Sequence, residues 1–564
     1  MLASRAGLIW LAPATAIAVL AGPVLAGLAG TVLPAFGYFP SLGGRALSLD
    51  PFAALLAWPG LPASVWLSLG PGLLATVLSL GFAVLICAGW QGTAVFRAIE
   101  RALSPVLSVP HAAAAFGLAF LIAPSGWIAR ALAPLAGWQV PPDVLILHDP
   151  WGLSLVAGLV AKEVPFLVLM MLAALPQARP EQSRKVAQAL GYGRAAGWLK
   201  TVFPRVYPQI RLPVYAVLAY SMSAVDVAMI LGPTTPPPLS VQVLAWMHDP
   251  DLALRFQAAA GAVLQLALVL VALALWRGAE ALVATLGRRW AEGGARRAAE
   301  GAVRAGGIAA AGLTGGAALL GLAALALWSA AGVWRFPALW PETLGPAAWM
   351  RHGPELAQPL RDTALIGLGA VALALVLALW CLEAEQRGLR PPGRTLSLIY
   401  LPLIVPQVAF LTGLQALAIG SGLDGGPGAV LVVHLVFVLP YVMLSLGDPY
   451  RAWDRRFGIA AAALGASPTR IFWRVRLPML LRPVLTAAAV GFAVSVGQYL
   501  PTLLIGAGRV QTVTTEAVAL ASGGDRRVIG VYGIVQTAAA LVPFALAIVL
   551  PAVLWRNRRG LRHG

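Results

Sequence analysis

The sequence predicts an all-α polytopic membrane protein, with about 12 transmembrane helices in two parallel six-helix repeats. The first observation is composition: 59% of the 564 residues are hydrophobic, 11% are charged, and the mean hydropathy is +0.81. A soluble domain carries roughly 25% charged residues. The second observation is a series of long apolar segments. The third is a loop sequence that occurs twice, which indicates that a whole domain has been duplicated.

Twelve segments are apolar over the roughly 20 residues that a bilayer core about 30 Å thick requires. They lie near residues 8–30, 68–90, 105–123, 151–175, 213–232, 257–276, 307–331, 363–382, 397–420, 428–447, 482–506 and 532–555. The first segment follows Arg5 and has small residues near Ala26, so it is either a retained helix or a cleavable signal peptide. We favour a retained helix, because the matching segment 307–331 opens the second half.

The basic residues predict the orientation in the membrane. Of the 40 lysine and arginine residues, 30 lie in segments on one side when the N-terminus is placed inside. Because cytoplasmic loops carry an excess of these residues, both termini are expected to be cytoplasmic. The net charge of +18 is therefore attributed to charges that flank the membrane, and we expect no binding of nucleic acid.

A loop sequence occurs at residues 186–204 and again at 460–478. Each copy has an alanine-rich stretch, Leu-Gly, and a basic and aromatic run that ends in proline. A spacing of 274 residues relates both Gly191 to Gly465 and Pro204 to Pro478. The pattern predicts a short helix, a glycine turn and a second helix, with proline interrupting the helix where the chain re-enters the bilayer.

Further paired positions extend the duplication to the whole chain. Gly117 matches Gly413, and Gly232 matches Gly506 at the same spacing of 274 residues. Each half contains an even number of spans, so both halves cross the membrane in the same sense. The predicted division is a first half at 1–276 (core about 64–276), a cytoplasmic linker at 277–306, and a second half at 307–564 (core about 359–555).

The two loops resemble the EAA motif of ABC importer permeases. The leading glutamate of that motif is absent, and Lys185 and Ile459 stand in its place. The whole chain resembles two fused type I (MetI-like) permease domains, as in the fused thiamine and ferric-ion permeases and a less characterised neighbouring branch. Together with the shared helix face, the resemblance assigns ATPase docking to Ala187, Leu190, Gly191, Pro204, Ala461, Leu464, Gly465, Leu477 and Pro478.

The resemblance implies the permease subunit of an ATP-driven importer in the bacterial inner membrane. Its expected partners are two cytoplasmic ABC ATPase subunits, an extracytoplasmic solute-binding protein and the lipid bilayer. Thiamine or a related cation is one candidate cargo, and ferric ion or another small solute is the alternative. ATP is expected to be bound by the partner, since none of Lys162, Lys185 and Lys200 follows a glycine as a P-loop requires. We expect no catalytic residue, cofactor or metal site in this chain.

Polar residues inside apolar spans are functional candidates, because charge is costly in hydrocarbon. The translocation path candidates are Lys162, Glu163, Asp226, Gln498 and Tyr499. One interpretation is a cavity, lined by Glu163 and Asp226, that tolerates a cation. The alternative is internal pairing, such as Lys162 with Asp226, that only fixes helix packing. His434 is interpreted as a packing residue whose hydrogen bonds are satisfied.

Two other classes of protein remain as alternatives. An ion-coupled secondary transporter would also have twelve spans, but the loop after the second span lacks the Gly-x-x-x-Asp-Arg pattern typical of that class. A membrane enzyme or scaffold is disfavoured, because the sequence has no nucleophile elbow, paired carboxylates or metal-ligand spacing.

Overall fold

The computed structural model describes residues 3–297, 299–388, 398–422 and 425–555. Within these ranges the chain is helical and contains no β-strand longer than an isolated bridge. Nine helices are long and apolar enough to cross a membrane, and the number rises to eleven when two sharply bent pairs count as single spans. The prediction of an all-α polytopic membrane protein is therefore confirmed.

The first half contains thirteen helices in the part of it that the structure describes. They are α1 (Ala3–Ala35), α2 (Asp50–Ala57), α3 (Leu61–Trp90), α4 (Ala94–Ser108), α5 (His111–Ile122), α6 (Trp127–Ala136), α7 (Leu153–Ala178), α8 (Pro180–Ala189), α9 (Arg194–Thr201), α10 (Phe203–Ser223), α11 (Asp226–Leu231), α12 (Leu239–Met247) and α13 (Leu254–Glu292).

The described part of the second half repeats this order. Its helices are α14 (Glu300–Ala330), α15 (Ala347–His352), α16 (Ala357–Gln386), α17 (Leu401–Ile404), α18 (Gln407–Gly420), α19 (Pro427–Arg451), α20 (Arg455–Ala463), α21 (Pro468–Ile471), α22 (Leu477–Met479), α23 (Leu481–Val496), α24 (Leu500–Gly506), α25 (Val513–Ala519) and α26 (Arg526–Leu554). A π-helical turn, Phe472–Arg476, joins α21 to α22.

Four of the predicted spans are interrupted. Segment 105–123 is divided between α4 and α5 at Pro110, and segment 397–420 bends by 93° before α18, where Pro406 stands. Proline lacks the amide hydrogen that a continuous helix needs. Segments 213–232 and 482–506 break between α10 and α11 and between α23 and α24. The predicted linker is mostly helical, because α13 continues to Glu292 and α14 begins at Glu300.

The first helix of each half packs against the other half. Helix α1 lies along α18, and α14 lies along α3 and α5. Glycines allow the backbones to touch: a Cβ at Gly117 would lie 2.7 Å from the Gly321 carbonyl carbon, and one at Gly30 would lie 2.6 Å from the Gly413 oxygen. Such close approach at small residues is a common basis of helix association in membranes. The matched glycines Gly117 and Gly413 thus hold the two halves together.

Replacing Gly413 with valine is expected to loosen the contact between α1 and α18. A Cβ at this position would lie 2.5 Å from the carbonyl carbon of Gly30, and backbone atoms cannot move aside as a side chain can. Over-packing of this kind costs about 3 kcal/mol. The thermal unfolding temperature of the purified chain should fall. Gly420→Val is the matched control, because Gly420 ends the same helix and has open space around it; equal losses in both variants would contradict the prediction.

The ends of α10 and α23 are followed by loop helices that are attached in the same way in both halves. The N–H of Leu239, which begins α12, donates to Ser68 Oγ at 3.0 Å. The N–H of Val513, which begins α25, donates to Thr363 Oγ1 at 3.0 Å. Ser68 lies on α3 and Thr363 on α16, so the two contacts occupy equivalent places in the repeat. This agreement supports a duplication that includes both the loops and the helices around them.

Candidate docking loops and translocation path

The first repeated loop consists of α8, a glycine turn and α9. Gly191 has a φ of +80°, a conformation that favours glycine because a Cβ would clash there. Its N–H donates to the Gln188 carbonyl at 2.9 Å, and the N–H of Tyr192 reaches back to the Ala187 carbonyl at 2.9 Å. These two bonds form a Schellman motif, which ends α8 and reverses the chain direction.

The second loop repeats this geometry at α20. Gly465 has a φ of +82°, and its N–H donates to the Ala462 carbonyl at 2.9 Å. The N–H of Ala466 donates to the Ala461 carbonyl at 3.0 Å. The helix, glycine turn and second helix that the sequence predicted are therefore present in both copies.

The leucine before each glycine points away from the bundle. Leu190 is 59% exposed and Leu464 is 89% exposed. Val186 and Ile459, one turn earlier, are also exposed. Exposed large apolar side chains at matched places in two loops indicate a surface that a partner covers.

The other predicted docking residues are placed less uniformly. Ala187 is buried, whereas Ala461 is half-buried. Pro204 is exposed near the start of α10, while Leu477 and Pro478 are half-buried in α22. The strictly shared feature of the two loops is therefore the turn with its leucine, and not the whole motif.

The first loop is fastened to the segment that connects the two halves. The Gly193 N–H donates to the Arg296 carbonyl at 2.7 Å. The Glu300 carboxylate accepts from the N–H of Ala195 at 2.9 Å, so it caps the N-terminus of α9. Lys200 Nζ donates to the Trp290 carbonyl at 3.0 Å. Movement of this loop would therefore be passed to α13 and α14.

The second loop is fastened to α16 and α19 through charged groups. Arg476, in the π-helical turn, forms an ion pair with Glu383 at the end of α16. The Tyr450 hydroxyl donates to the same carboxylate at 2.7 Å, and Arg451 pairs with Glu385 at 2.9 Å. Sequence reasoning missed both glutamates. The available signal was the pair of acidic residues directly after an apolar span.

Lys162 lies in α7 with its side chain buried against the end of α4. Its Nζ donates to the carbonyls of Val106 at 2.8 Å, Leu107 at 3.2 Å and Val109 at 2.5 Å. The last carbonyls of a helix lack partners and carry partial negative charge, so a cation there is favourable. Its proposed partner Asp226 makes no contact with it in this arrangement, so the pairing alternative is wrong for Lys162.

Lys162→Met is expected to destabilise the chain. The change would leave the carbonyl oxygens at the end of α4 without their charged donor, which costs about 2 kcal/mol for buried groups. The purified protein should unfold at a lower temperature, while Lys185→Met, at an exposed position, should have no effect. If Lys162→Met kept full stability but abolished uptake, Lys162 would act in the translocation path instead.

Two carboxylates and three polar or aromatic groups meet near the middle of the first half. His111 Nε2 lies 3.5 Å from Glu163 Oε1. The Tyr220 hydroxyl donates to Asp226 Oδ1 at 3.4 Å, and the His111 and Tyr220 rings are 4.8 Å apart. Both carboxylates are buried, while His111 and Tyr220 are half-buried. We call Glu163, Asp226, His111, Tyr220 and Tyr499 the acidic cluster.

The second half contributes Tyr499, whose hydroxyl donates to Met229 Sδ at 3.5 Å across the interface between the halves. Tyr499 is buried, and Gln498 beside it has a carbonyl oxygen with no hydrogen-bond partner among the described residues. The repeat places Val438 opposite Glu163 and Leu500 opposite Asp226. The negative charge of the cluster thus comes from the first half alone.

Two placements outside the predicted path complete the comparison with the sequence. His434 bonds Ser495 Oγ at 2.8 Å and Thr502 Oγ1 at 2.9 Å, which confirms its interpretation as a packing residue. His111 and Tyr220 were missed by sequence reasoning. The signal for His111 was available, since it follows Pro110 at a position where the second repeat has Gln407.

Known proteins resemble this chain over nearly its full length. A family model described as the inner membrane component of binding-protein-dependent transport systems matches residues 371–556. The inner membrane ABC transporter permease protein YnjC of Escherichia coli is 32% identical over 524 residues, covering 92% of this chain and 93% of that protein. The molybdenum transport system permease protein ModB of Mycobacterium bovis is 36% identical, over 27% of this chain and 60% of ModB. The PotC homolog of a spermidine/putrescine transport system in Mycoplasma pneumoniae is 27% identical, over 31% of this chain and 64% of that protein. This chain therefore belongs to the ABC transporter permeases, the inner-membrane components of binding-protein-dependent transport systems.

Proposed function

We propose that the chain is the complete membrane part of an importer, with each of its halves driven by one cytoplasmic ATPase subunit. The observation that carries this proposal is the pair of matched turns with exposed leucines, Leu190 and Leu464. Two identical handles on one chain suit two copies of one partner. The excess of arginine in the loops supports placing these handles, and both termini, on the cytoplasmic side.

The attachments of the loops suggest how force would enter the bundle. Closure of the ATPases would pull the first loop, and through Glu300 the start of α14. It would pull the second loop, and through Glu383 the end of α16. Because α1 and α14 each lie on the opposite half, the two halves would rock together. A solute-binding protein would deliver cargo at the far end of the bundle.

We further propose that the cargo is a small organic cation that passes the acidic cluster. Two buried carboxylates repel an oxyanion and attract a cation, and the faces of Tyr220 and Tyr499 can hold a quaternary or ammonium group. A cargo of ferric ion is less well supported, because no group of three or more His, Cys, Asp or Glu side chains in the described residues is arranged to hold a metal ion. Thiamine and polyamines are cations of the required kind.

Uptake into proteoliposomes tests this proposal. The chain would be reconstituted with its ATPase and binding-protein partners, and ATP-driven accumulation of thiamine, spermidine, molybdate and ferric ion would be compared. We expect accumulation of an organic cation only. Preferred uptake of molybdate would refute the assignment of cargo, and uptake on an ion gradient without any ATPase would refute the importer itself.

A further inference from the structure

We infer that the first docking loop carries a binding site for the phosphate group of an anionic phospholipid. The site is a cavity of about 20 Å³ between the end of α3 and the helices α8 and α9. Its polar lining includes Gln91, Arg184, Arg194 and Trp198. We call it the arginine pocket. It lies apart from the exposed leucine of the loop and from the acidic cluster.

Two hydrogen-bond donors in the arginine pocket have no acceptor. Arg184 Nε and Trp198 Nε1 are buried, and neither has a hydrogen-bond partner among the described residues. Trp198 is only 6% exposed, so its N–H is not solvated from outside. Buried donors without acceptors are rare in folded proteins, and each one calls for an explanation. An anionic oxygen placed between them would accept from both.

The charge around the pocket also favours an anion. Burial and the nearby charges of Arg184 and Arg304 lower the pKa of Arg194, and Glu300 opposes this effect. The Glu300 carboxylate already accepts hydrogen bonds from the N–H groups of Ala195 and Ala196. Three guanidinium groups therefore share one carboxylate that is committed to a helix end. A phosphate would relieve this excess of positive charge, and arginine binds phosphate well.

The position of the pocket points to a lipid as the source of that phosphate. Trp90 ends α3, its Nε1 donates to the Arg304 carbonyl at 2.9 Å, and the Arg304 guanidinium lies 4.3 Å above its ring. Tryptophan and arginine at the end of a span are typical of the membrane interface. A cavity of this size admits one water-sized group. A phosphate would thus insert one oxygen and leave the rest of its molecule outside, as a headgroup at the surface can.

The second docking loop lacks the equivalent groups. At the repeat spacing of 274 residues, Gly458 replaces Arg184, Pro468 replaces Arg194 and Phe472 replaces Trp198. A feature needed for both copies of an ATPase would be expected in both loops. Its restriction to the first loop therefore separates the arginine pocket from the docking surface, and it also provides a control within the same chain.

Lipid retention by the purified chain tests the inference. Native mass spectrometry and thermal unfolding would be measured with phosphatidylglycerol, phosphatidylcholine or inorganic phosphate added to the full chain in detergent. We expect phosphatidylglycerol to bind and to raise the unfolding temperature. Arg184→Gln should weaken this binding about tenfold through loss of a charged donor. Trp198→Phe keeps the ring and removes one N–H, and should weaken binding about threefold.

Arg470→Gln is the matched control, because Arg470 is an exposed arginine in the second loop. It should leave lipid binding unchanged. Protection by inorganic phosphate alone, lost in Arg184→Gln, would support the anion site with a free phosphate as its source. Equal lipid binding in all three variants would overturn the inference. So would a loss of ATPase binding in Arg184→Gln with lipid binding intact, because the pocket would then belong to the protein interface.

Discussion

Replacing Leu190 and Leu464 together with glutamate is expected to abolish ATP-driven uptake while leaving the chain folded. Both side chains are largely exposed, at 59% and 89%, so a charge there costs the isolated chain little. In a complex each leucine would lie in an apolar groove, where an unpaired carboxylate is costly. Truncation of an interface hot spot costs about 2 kcal/mol or more, or roughly a 30-fold loss of affinity at each loop.

The measurement is co-purification of the ATPase together with ATP-driven uptake by proteoliposomes. Leu47→Glu is the matched control, since Leu47 is 71% exposed in a loop at the other end of the bundle. The single variants should each retain partial ATPase binding, because one handle remains. Full uptake by the double variant would show that these leucines do not transmit force.

Neutralising the acidic cluster with Glu163→Gln and Asp226→Asn is expected to reduce uptake of an organic cation at least about tenfold. Each carboxylate is buried beside aromatic rings, where attraction to a cation is stronger than in water by roughly the ratio of dielectric constants. The amides keep the shape of the side chains, so helix packing should be preserved. ATP hydrolysis in the absence of cargo should persist, because the docking loops are unchanged.

Initial rates of uptake over a range of cargo concentrations would separate weaker binding from slower movement. Glu383→Gln serves as the control, because it also neutralises a carboxylate but lies at the end of α16 beside the second loop. That variant should lower the rate with little change in the cargo concentration for half-maximal uptake. Unchanged transport in both acidic-cluster variants would rule out this cluster as part of the path.

Sequence patterns predicted the features that depend on local chemistry. The glycine turns were predictable because a leucine, a glycine and an alanine-rich helix recur at one spacing, and the left-handed φ at Gly191 and Gly465 follows from that glycine. The long spans were predictable because apolar length alone identifies them. The matched glycines Gly117 and Gly413 were recognised as a pair, although their role in crossing the halves was not.

Features that depend on distant contacts were not predictable in the same way. Lys162 looked like a partner for Asp226, but its amine bonds carbonyl groups at the end of α4, and a backbone acceptor leaves no mark in the sequence. The breaks before α11 and α24 lie within apolar segments, where hydropathy reports composition and not chain direction. The ion pair of Glu383 with Arg476 joins residues 93 positions apart, which no local pattern relates.

The central claim is that a nucleotide-hydrolysing partner grips both loops from the cytoplasm. Photo-crosslinking groups introduced separately at Leu190 and Leu464 in living cells test it most directly. The account predicts an adduct with the same ATPase subunit at each position, and protection of both sites from membrane-impermeant thiol reagents outside the cell when they carry cysteine. Labelling of either cysteine from outside, or adducts that never contain an ATPase, would contradict it.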